Sequence, residues 1–268
     1  MTRRSTDAAN PSAPPVQRLR LRYAKRGPLR FTSHRDVARA FERALRRAGV
    51  PMALSQGFSP RPKVSWIGAA PTGAASEAEY LEIAVVREIT TADLVRDLDA
   101  VLPPGLDVLE AVIATPGSLA DRIDASAWRI EVTGVGVADL RAAVEKLLAQ
   151  ESVPVNRLTK DGERSIDVRP VLAAVEVHDS VSVSAPDHRY GILDVVVRQS
   201  TPAVRPDDVM NALRVVATLE PPVPAKATRM AQGRLDNDGV LSDPLAPDRA
   251  AEVGQVHGEQ ETARRDVD

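Results

Sequence analysis

The feature that most constrains the fold of this chain is an order of strand and helix patterns that occurs twice. Residues 17–24 alternate strictly, with Leu19, Leu21 and Tyr23 on one face and arginines on the other, which is typical of a half-buried strand. A helical pattern, two strand patterns, a second helix and a closing strand follow. The first segment therefore has the order βαββαβ, and a second segment that starts near residue 126 repeats it.

This order predicts an α+β protein of two tandem ferredoxin-like domains, each a four-stranded antiparallel sheet with both helices on one face. We expect the first domain at residues 16–116 and the second at residues 117–232. Residues 1–15 and 233–268 are rich in Ala, Pro, Gly, Asp and Glu and have no apolar periodicity. We predict that these two segments are disordered tails.

The number of strands between the two helices of the second segment stays open at this point. A hairpin is predicted around Asp161 and Gly162, because an Asp-Gly pair favours a tight turn. The alternating stretches at residues 181–186 and 190–200 are predicted strands. A short helical piece near residues 171–175 is a further possibility.

The composition excludes several kinds of site. With no cysteine among 268 residues, the chain offers no thiol for catalysis, for a zinc site or for an iron–sulfur cluster. The four histidines lack the spacing of metal ligands, so we expect no metal and no cofactor. The sequence has no apolar run of about 18 residues, and its first fifteen residues lack the apolar core of a signal peptide. We expect a cytoplasmic protein without a membrane partner.

Positive charge is concentrated in the first predicted domain. Residues 16–65 carry thirteen basic and two acidic residues, although the whole chain has a net charge of −2. On a helix over residues 33–49, four arginines fall within an arc of about 80°, away from the apolar arc that contains Phe41. We call these four residues the arginine ridge: Arg35, Arg39, Arg43 and Arg46. The ridge suits contacts with RNA phosphates, and the alternative is an ordinary solvated helix face.

A second basic zone lies on the first predicted strand. Arg18, Arg20 and Arg22 point away from the helices of the expected fold, so they cannot join the arginine ridge on one flat surface. Glu82 on a neighbouring strand would lie across from one of them, and cross-strand ion pairs are common. Whether these arginines are free or paired stays open.

The loop "SQGFSPRPK" at residues 55–63 contains prolines that stiffen the backbone, a glycine that relaxes it, and one aromatic and two basic side chains. Prolines flank Arg61, and Gly57 permits an unusual backbone angle. A stiff loop that presents Phe58, Arg61 and Lys63 could stack on a base and contact phosphate, or it could clamp a partner protein. The alternative is that Phe58 packs beneath the loop.

His34 is a candidate for catalysis, set against a structural role in the core. It lies next to Ser33, but its helical angle places it on the side of Phe41 and Val37, where a histidine is usually a packed core residue. No acid partner for a general base is visible in the sequence. We lean towards a protein without catalytic residues.

The residues so far quoted resemble a known family. The stretch "RYAKRGPLRFTSHRDVARAFERALRRAGVPMALSQGFSPRPKVSW" and the later "PTGAASEAEYLEI" and "SIDVRP" are similar to the radical-SAM-linked domain of unknown function, which also occurs as a separate radical-SAM-associated bacterial protein. The resemblance covers about residues 17–232. It implies an accessory or substrate-presenting role beside a separately encoded radical SAM enzyme. The residues that match its motif are Ser33, His34, Asp36, Gly57, Phe58, Pro60 and Pro62.

Three functional hypotheses follow. The first is a non-catalytic accessory protein that works with a radical SAM enzyme and binds RNA through the basic N-terminal domain, using the arginine ridge, Phe58, Arg61 and Lys63. The second is a metal-independent RNA-processing enzyme, by fold analogy with CRISPR repeat-processing endoribonucleases, with His34 as base beside Arg35 or Lys63. The third is a purely protein-binding scaffold. The expected fold is compatible with all three, because ferredoxin-like units host many functions.

Overall fold

The computed structural model describes residues 13–159, 162–179 and 190–252. The chain is α+β, with a mixed sheet and five α-helices in this described part. It divides into two compact units. In the described part, unit 1 comprises residues 13–69, 79–120 and 245–252, and unit 2 comprises residues 70–78 and 121–244.

Unit 1 has two helices between its four strands. The elements are β1 (Gln17–Lys25), α1 (His34–Arg47), β2 (Val64–Ile67), β3 (Ala75–Val85), α2 (Thr91–Asp99) and β4 (Val108–Ile113). The strands have the spatial order β4-β1-β3-β2, and the β1–β4 and β2–β3 pairs are antiparallel. Residues 75–78 at the start of β3 belong to unit 2.

Local signals in the sequence define the ends of α1. The Ser33 hydroxyl accepts a hydrogen bond from the Asp36 backbone N–H at 3.3 Å, which caps the first turn. Gly49 follows the helix with φ +65°, a conformation in which a side chain would be strained. The apolar face of α1 is buried, and its Phe41 ring lies 4.7 Å from Tyr23 and 5.6 Å from Trp66. This packing holds the opposite, basic face of α1 towards solvent.

Unit 2 also alternates strands and helices. The elements are β5 (Ala125–Thr133), α3 (Val137–Leu148), β6 (Pro154–Thr159), β7 (Gly162–Asp167), β8 (Leu172–Asp179), β9 (Tyr190–Arg198), α4 (Pro206–Ala217), β10 (Lys226–Leu235) and β11 (Leu241–Ser242). The strands have the order β3-β10-β5-β9-β8, in which the start of β3 runs parallel to β10 and the other pairs are antiparallel. A separate two-stranded sheet pairs β6 with β7, and β11 pairs with β10.

The chain between α3 and α4 resolves the open strand count. The predicted hairpin is the β6–β7 pair. Where the sequence suggested a helical piece near residues 171–175, the structure has one 3-10 turn at Arg169–Val171 and then strand β8. Val175 and Val177 alternate towards the core, and β-branched residues in alternation favour a strand. The predicted strand at residues 181–186 lies outside the described residues.

The C-terminal segment differs from the expected disordered tail. Strand β10 continues to Leu235, β11 follows, and residues 246–252 form a helix that we call α5. Leu245 and Asp248 are completely buried, so tertiary contacts stabilise a segment whose composition resembles a disordered tail. Residues 253–268 of that predicted tail, and residues 1–12 of the N-terminal one, lie outside the described residues. None of the helices in the described chain is long and apolar enough to cross a membrane.

Candidate nucleic-acid interface

The basic face of α1 is exposed along its whole length. All four residues of the arginine ridge are exposed, and so is Arg47 in the last turn. Because Val37, Phe41, Ala44 and Leu45 bury the opposite face, the guanidinium groups cannot turn inward without breaking the core. The fold therefore presents a row of cations on one side of a rigid helix.

This row has little internal neutralisation. Arg39 Nη1 lies 3.6 Å from Asp36 Oδ1, and both side chains are exposed, so the pair contributes little to stability. Within the residues that the structure describes, six cations of α1 and the following loop region make no ion pair. These are Arg35, Arg43, Arg46, Arg47, Arg61 and Lys63.

The arginines of β1 are paired instead. Arg18 Nη1 lies 2.9 Å from Glu82 Oε1, and Arg22 Nε lies 3.8 Å from Glu110 Oε2. Arg20 is 1% exposed and contacts two carboxylates, Glu82 at 3.0 Å and Asp248 at 2.8 Å. This answers the question that the sequence left open. Carboxylates neutralise the β1 face, so the exposed positive charge of this region lies on α1 and the following loop.

The loop after α1 is braced at its neck. The Ser55 N–H donates to the Arg61 carbonyl at 2.8 Å, and the Arg61 N–H donates to the Ser55 hydroxyl at 3.0 Å. The Lys63 N–H donates to the Ala53 carbonyl at 2.8 Å. These bonds close the loop and leave a five-residue tip, residues 56–60, outside the paired backbone.

Phe58 at the centre of this tip is completely exposed, with a relative accessibility of 102%. Phe58 therefore does not pack beneath the loop, which was the alternative that the sequence left open. The physical reason is the short tip, because its central residue is the farthest from the paired neck. Gly57 precedes it with φ +125°, a conformation that a residue with a side chain rarely adopts.

His34 lies at the start of α1 and is exposed, unlike the packed position that its helical angle predicts. Its ring contacts Trp66 edge-on, with 5.3 Å between the ring centroids. In the described part of the chain no carboxylate forms an ion pair with His34. Within the described residues, His34 therefore has an edge-to-face contact with Trp66 and no carboxylate ion pair of the kind that general-base catalysis would use.

Two features escaped the sequence reasoning. Arg47 is an additional exposed cation beside the arginine ridge. Its helical angle, which lies outside the apolar arc of α1, could have indicated this exposure. Phe31, just before α1, is 69% exposed, and the Arg30 guanidinium lies 5.7 Å from its ring centroid. Among the described residues, no group of three His, Asp or Glu side chains is arranged to hold a metal ion.

Comparisons with known proteins give one family. No curated protein matches the chain at a significant level. Among solved structures, the crystal structure of an unknown protein from Galdieria sulphuraria is similar at 12% identity and a TM-score of 0.23, over 80% of this chain and 98% of that chain. The model of the family described as "Uncharacterized protein conserved in bacteria (DUF2344)" matches residues 18–206. Because this match covers well over half of the chain, the protein belongs to that family of conserved bacterial proteins.

Proposed function

We propose that the protein is a non-catalytic accessory protein that binds RNA through α1 and works with a separately encoded radical SAM enzyme. The observation that carries the RNA part is the contrast between two sets of arginines in unit 1. Those of β1 are paired with carboxylates. In the described chain, five arginines of α1 and the following loop make no ion pair, and neither does Lys63 of that loop. The five arginines are Arg35, Arg43, Arg46, Arg47 and Arg61.

The physical argument is counterion release. An exposed cation without a carboxylate neighbour keeps its full charge available for a phosphate, and each phosphate that it neutralises releases a condensed counterion from the RNA. Arg35 and Arg46 are eleven residues apart, or about 16 Å along a helix that rises 1.5 Å per residue. Arginine also donates two parallel hydrogen bonds to a phosphate, which favours ordered contacts over diffuse attraction.

We also infer that both units are ferredoxin-like. In unit 1 the order β4-β1-β3-β2, with α1 after β1 and α2 after β3, supports this interpretation. In unit 2 the order β10-β5-β9-β8, with α3 after β5 and α4 after β9, supports it in the same way. The β6–β7 hairpin would then be an insertion between α3 and β8. This fold assignment is independent of the functional argument.

The proposed radical SAM partner rests on the family resemblance of the motif around Ser33 and Phe58. The chain contains no cysteine and therefore offers no thiolate for the cluster that radical SAM chemistry uses. In this proposal the partner performs the chemistry and this protein presents the RNA. Size-exclusion chromatography of the protein mixed with its radical SAM partner, with and without RNA, tests this part.

Fluorescence anisotropy of labelled bulk transfer RNA, titrated with the protein over a salt series, tests the RNA part. We expect binding at low salt that weakens steeply as salt rises, because the contacts are to phosphates. Absence of binding at low salt would overturn the RNA proposal. Co-elution with the radical SAM partner in the absence of RNA would then support the protein-binding scaffold.

A further inference from the structure

The loop tip at residues 56–60 presents an aromatic ring that the fold does not use. Phe58 is completely exposed, and the hydrogen bonds between Ser55 and Arg61 hold the loop that carries it. An exposed phenylalanine at a mobile position would be unremarkable, but a braced loop presents its ring at a defined place. The ring therefore has the properties of a preorganised stacking platform.

The segment between α1 and this loop is hydrogen-bonded to the end of β3. The Val86 N–H donates to the Pro51 carbonyl, and the Ala53 N–H donates to the Ala84 carbonyl, each at 2.8 Å. These bonds fix the chain that leaves α1, and with it the loop neck, at one end of β3. In the chain, seven residues (48–54) separate the loop from the C-terminal end of α1, where Arg46 and Arg47 are exposed.

The charge around Phe58 indicates what kind of molecule it contacts. No acidic residue occurs in residues 43–76, a stretch that contains five basic residues. Two of these, Arg61 and Lys63, form one side of the loop neck, are exposed and make no ion pair in the described part of the chain. An apolar pocket of a protein partner would not need this surrounding charge, whereas a base attached to a phosphate backbone is complementary to both features.

We propose that Phe58 stacks on an unpaired RNA base, so that the protein selects single-stranded segments over duplex. This inference rests on the proposed RNA function and specifies its substrate class. Every base has a π-face, so a single phenylalanine gives selectivity for unpaired over paired nucleotides without strong sequence preference. In a continuous duplex the bases are stacked on each other, and the ring has no free face to contact.

The test compares two labelled probes, a short oligouridylate and a blunt RNA duplex of the same length, by anisotropy at fixed salt. For the oligouridylate we expect Phe58→Ala to raise Kd by about 5- to 150-fold, the range for loss of one aromatic–base stack. For the duplex we expect no change. Phe58→Trp should bind the oligouridylate about as well as the wild type, because it keeps an aromatic ring. Phe58→Leu, which is apolar but not aromatic, should bind it as weakly as Phe58→Ala.

Two further measurements separate stacking from charge and from folding. The salt dependence of oligouridylate binding should keep its slope in Phe58→Ala, because no phosphate contact is lost. The matched control is Leu158→Ala in unit 2, since Leu158 is 85% exposed and lies outside the proposed surface. Thermal unfolding should be unchanged in both variants, because neither side chain is part of a core.

The possible failures are distinguishable. If the wild type binds neither these probes nor bulk transfer RNA at low salt, the proposed RNA function fails and this inference fails with it. If it binds transfer RNA but neither probe, only the stacking role is wrong. If the wild type binds with the expected salt dependence and Phe58→Ala has no effect, or weakens both probes equally, RNA binding stands and the stacking role is wrong. If Phe58→Ala leaves oligouridylate binding intact but abolishes co-elution with the radical SAM protein, the loop docks a protein and the stacking role is overturned.

Discussion

Arg20 and Asp248 form a buried ion pair that joins the first strand of unit 1 to the C-terminal helix α5. Arg20 Nη1 lies 2.8 Å from Asp248 Oδ1 and 3.1 Å from Oδ2, and the two side chains are 1% and 0% exposed. The Thr115 N–H also donates to Asp248, at 2.9 Å. Every polar atom of this carboxylate therefore has a partner, as a buried charge requires.

Replacing Asp248 with alanine should destabilise the protein by about 3 kcal/mol, the low end of the range for a broken buried ion pair, because the buried guanidinium of Arg20 then keeps only Glu82 as a carboxylate partner. Urea denaturation measures this change in the free energy of unfolding. The matched control is Asp238→Ala, which removes an exposed carboxylate and should change stability by less than about 0.5 kcal/mol. The double variant Arg20→Met/Asp248→Leu should recover part of the loss. Equal effects of Asp248→Ala and Asp238→Ala would show that α5 is not anchored by this pair.

A second buried pair links the β6–β7 hairpin to α4. Arg157 Nε donates to Asp208 Oδ1 at 2.9 Å, and Asp208, 2% exposed, also accepts from the Arg205 N–H at 2.7 Å. We expect Arg157→Leu to increase hydrogen exchange at residues 154–167 more than in β5 and β9, because the hairpin pairs only with itself in the described chain.

Arg141→Leu on the exposed face of α3 is the control for this experiment, since Arg141 makes no ion pair within the described residues. It should leave exchange in the hairpin unchanged. A uniform increase over all of unit 2 in Arg157→Leu would mean that the pair stabilises the whole unit and not the hairpin in particular.

Acid should weaken one local contact of unit 2. Burial acts to raise the pKa of Asp167, but hydrogen bonds from Ser152, Val153 and Arg169 outweigh it and hold the pKa below the usual aspartate range. A depressed pKa means that the carboxylate stabilises the fold above its unfolded-state pKa. This contribution is lost as pH falls through the lower, folded-state pKa.

Ser152→Ala removes a 2.7 Å hydrogen bond to Asp167 and should therefore lower the free energy of unfolding at neutral pH by at most about 1 kcal/mol. The difference in free energy of unfolding between Ser152→Ala and wild type should shrink as the Asp167 carboxyl becomes protonated at low pH. NMR titration should show a higher Asp167 pKa in the variant than in the wild type. A stability difference that is the same at neutral and acid pH would contradict this account.

Local signals explain how much of the fold could be predicted from the sequence. The Ser33 cap, the apolar arc around Phe41 and the final Gly49 lie within one short stretch, and they predicted α1 and its exposed basic face. The hairpin was predicted in the same way from its turn residues. These features depend on neighbours in sequence, so periodicity and turn chemistry are sufficient.

The remaining features depend on contacts between distant residues. Asp248 and Arg20 are 228 positions apart, so nothing near residue 248 indicated that α5 would be anchored. The pairing of the β1 arginines depends on the same contact and on Glu82. The exposure of Phe58 depends on hydrogen bonds across the loop neck, and a loop sequence alone is compatible with either position of the ring.

The most direct test of RNA binding by the arginine ridge is a charge-reversal comparison in the anisotropy salt series. The ridge variant is Arg39→Glu/Arg43→Glu/Arg46→Glu. The control, Arg141→Glu/Arg198→Glu/Arg214→Glu, makes the same change in net charge with exposed arginines of unit 2 that have no ion pair in the described chain.

We predict that the ridge variant loses binding to transfer RNA, or keeps a residual affinity whose log–log salt slope is smaller by about 2, as expected for three lost phosphate contacts. The control should retain most of the wild-type slope. Equal losses in the two variants would show that net charge alone drives binding, and would contradict the assignment of α1 as the RNA-binding surface.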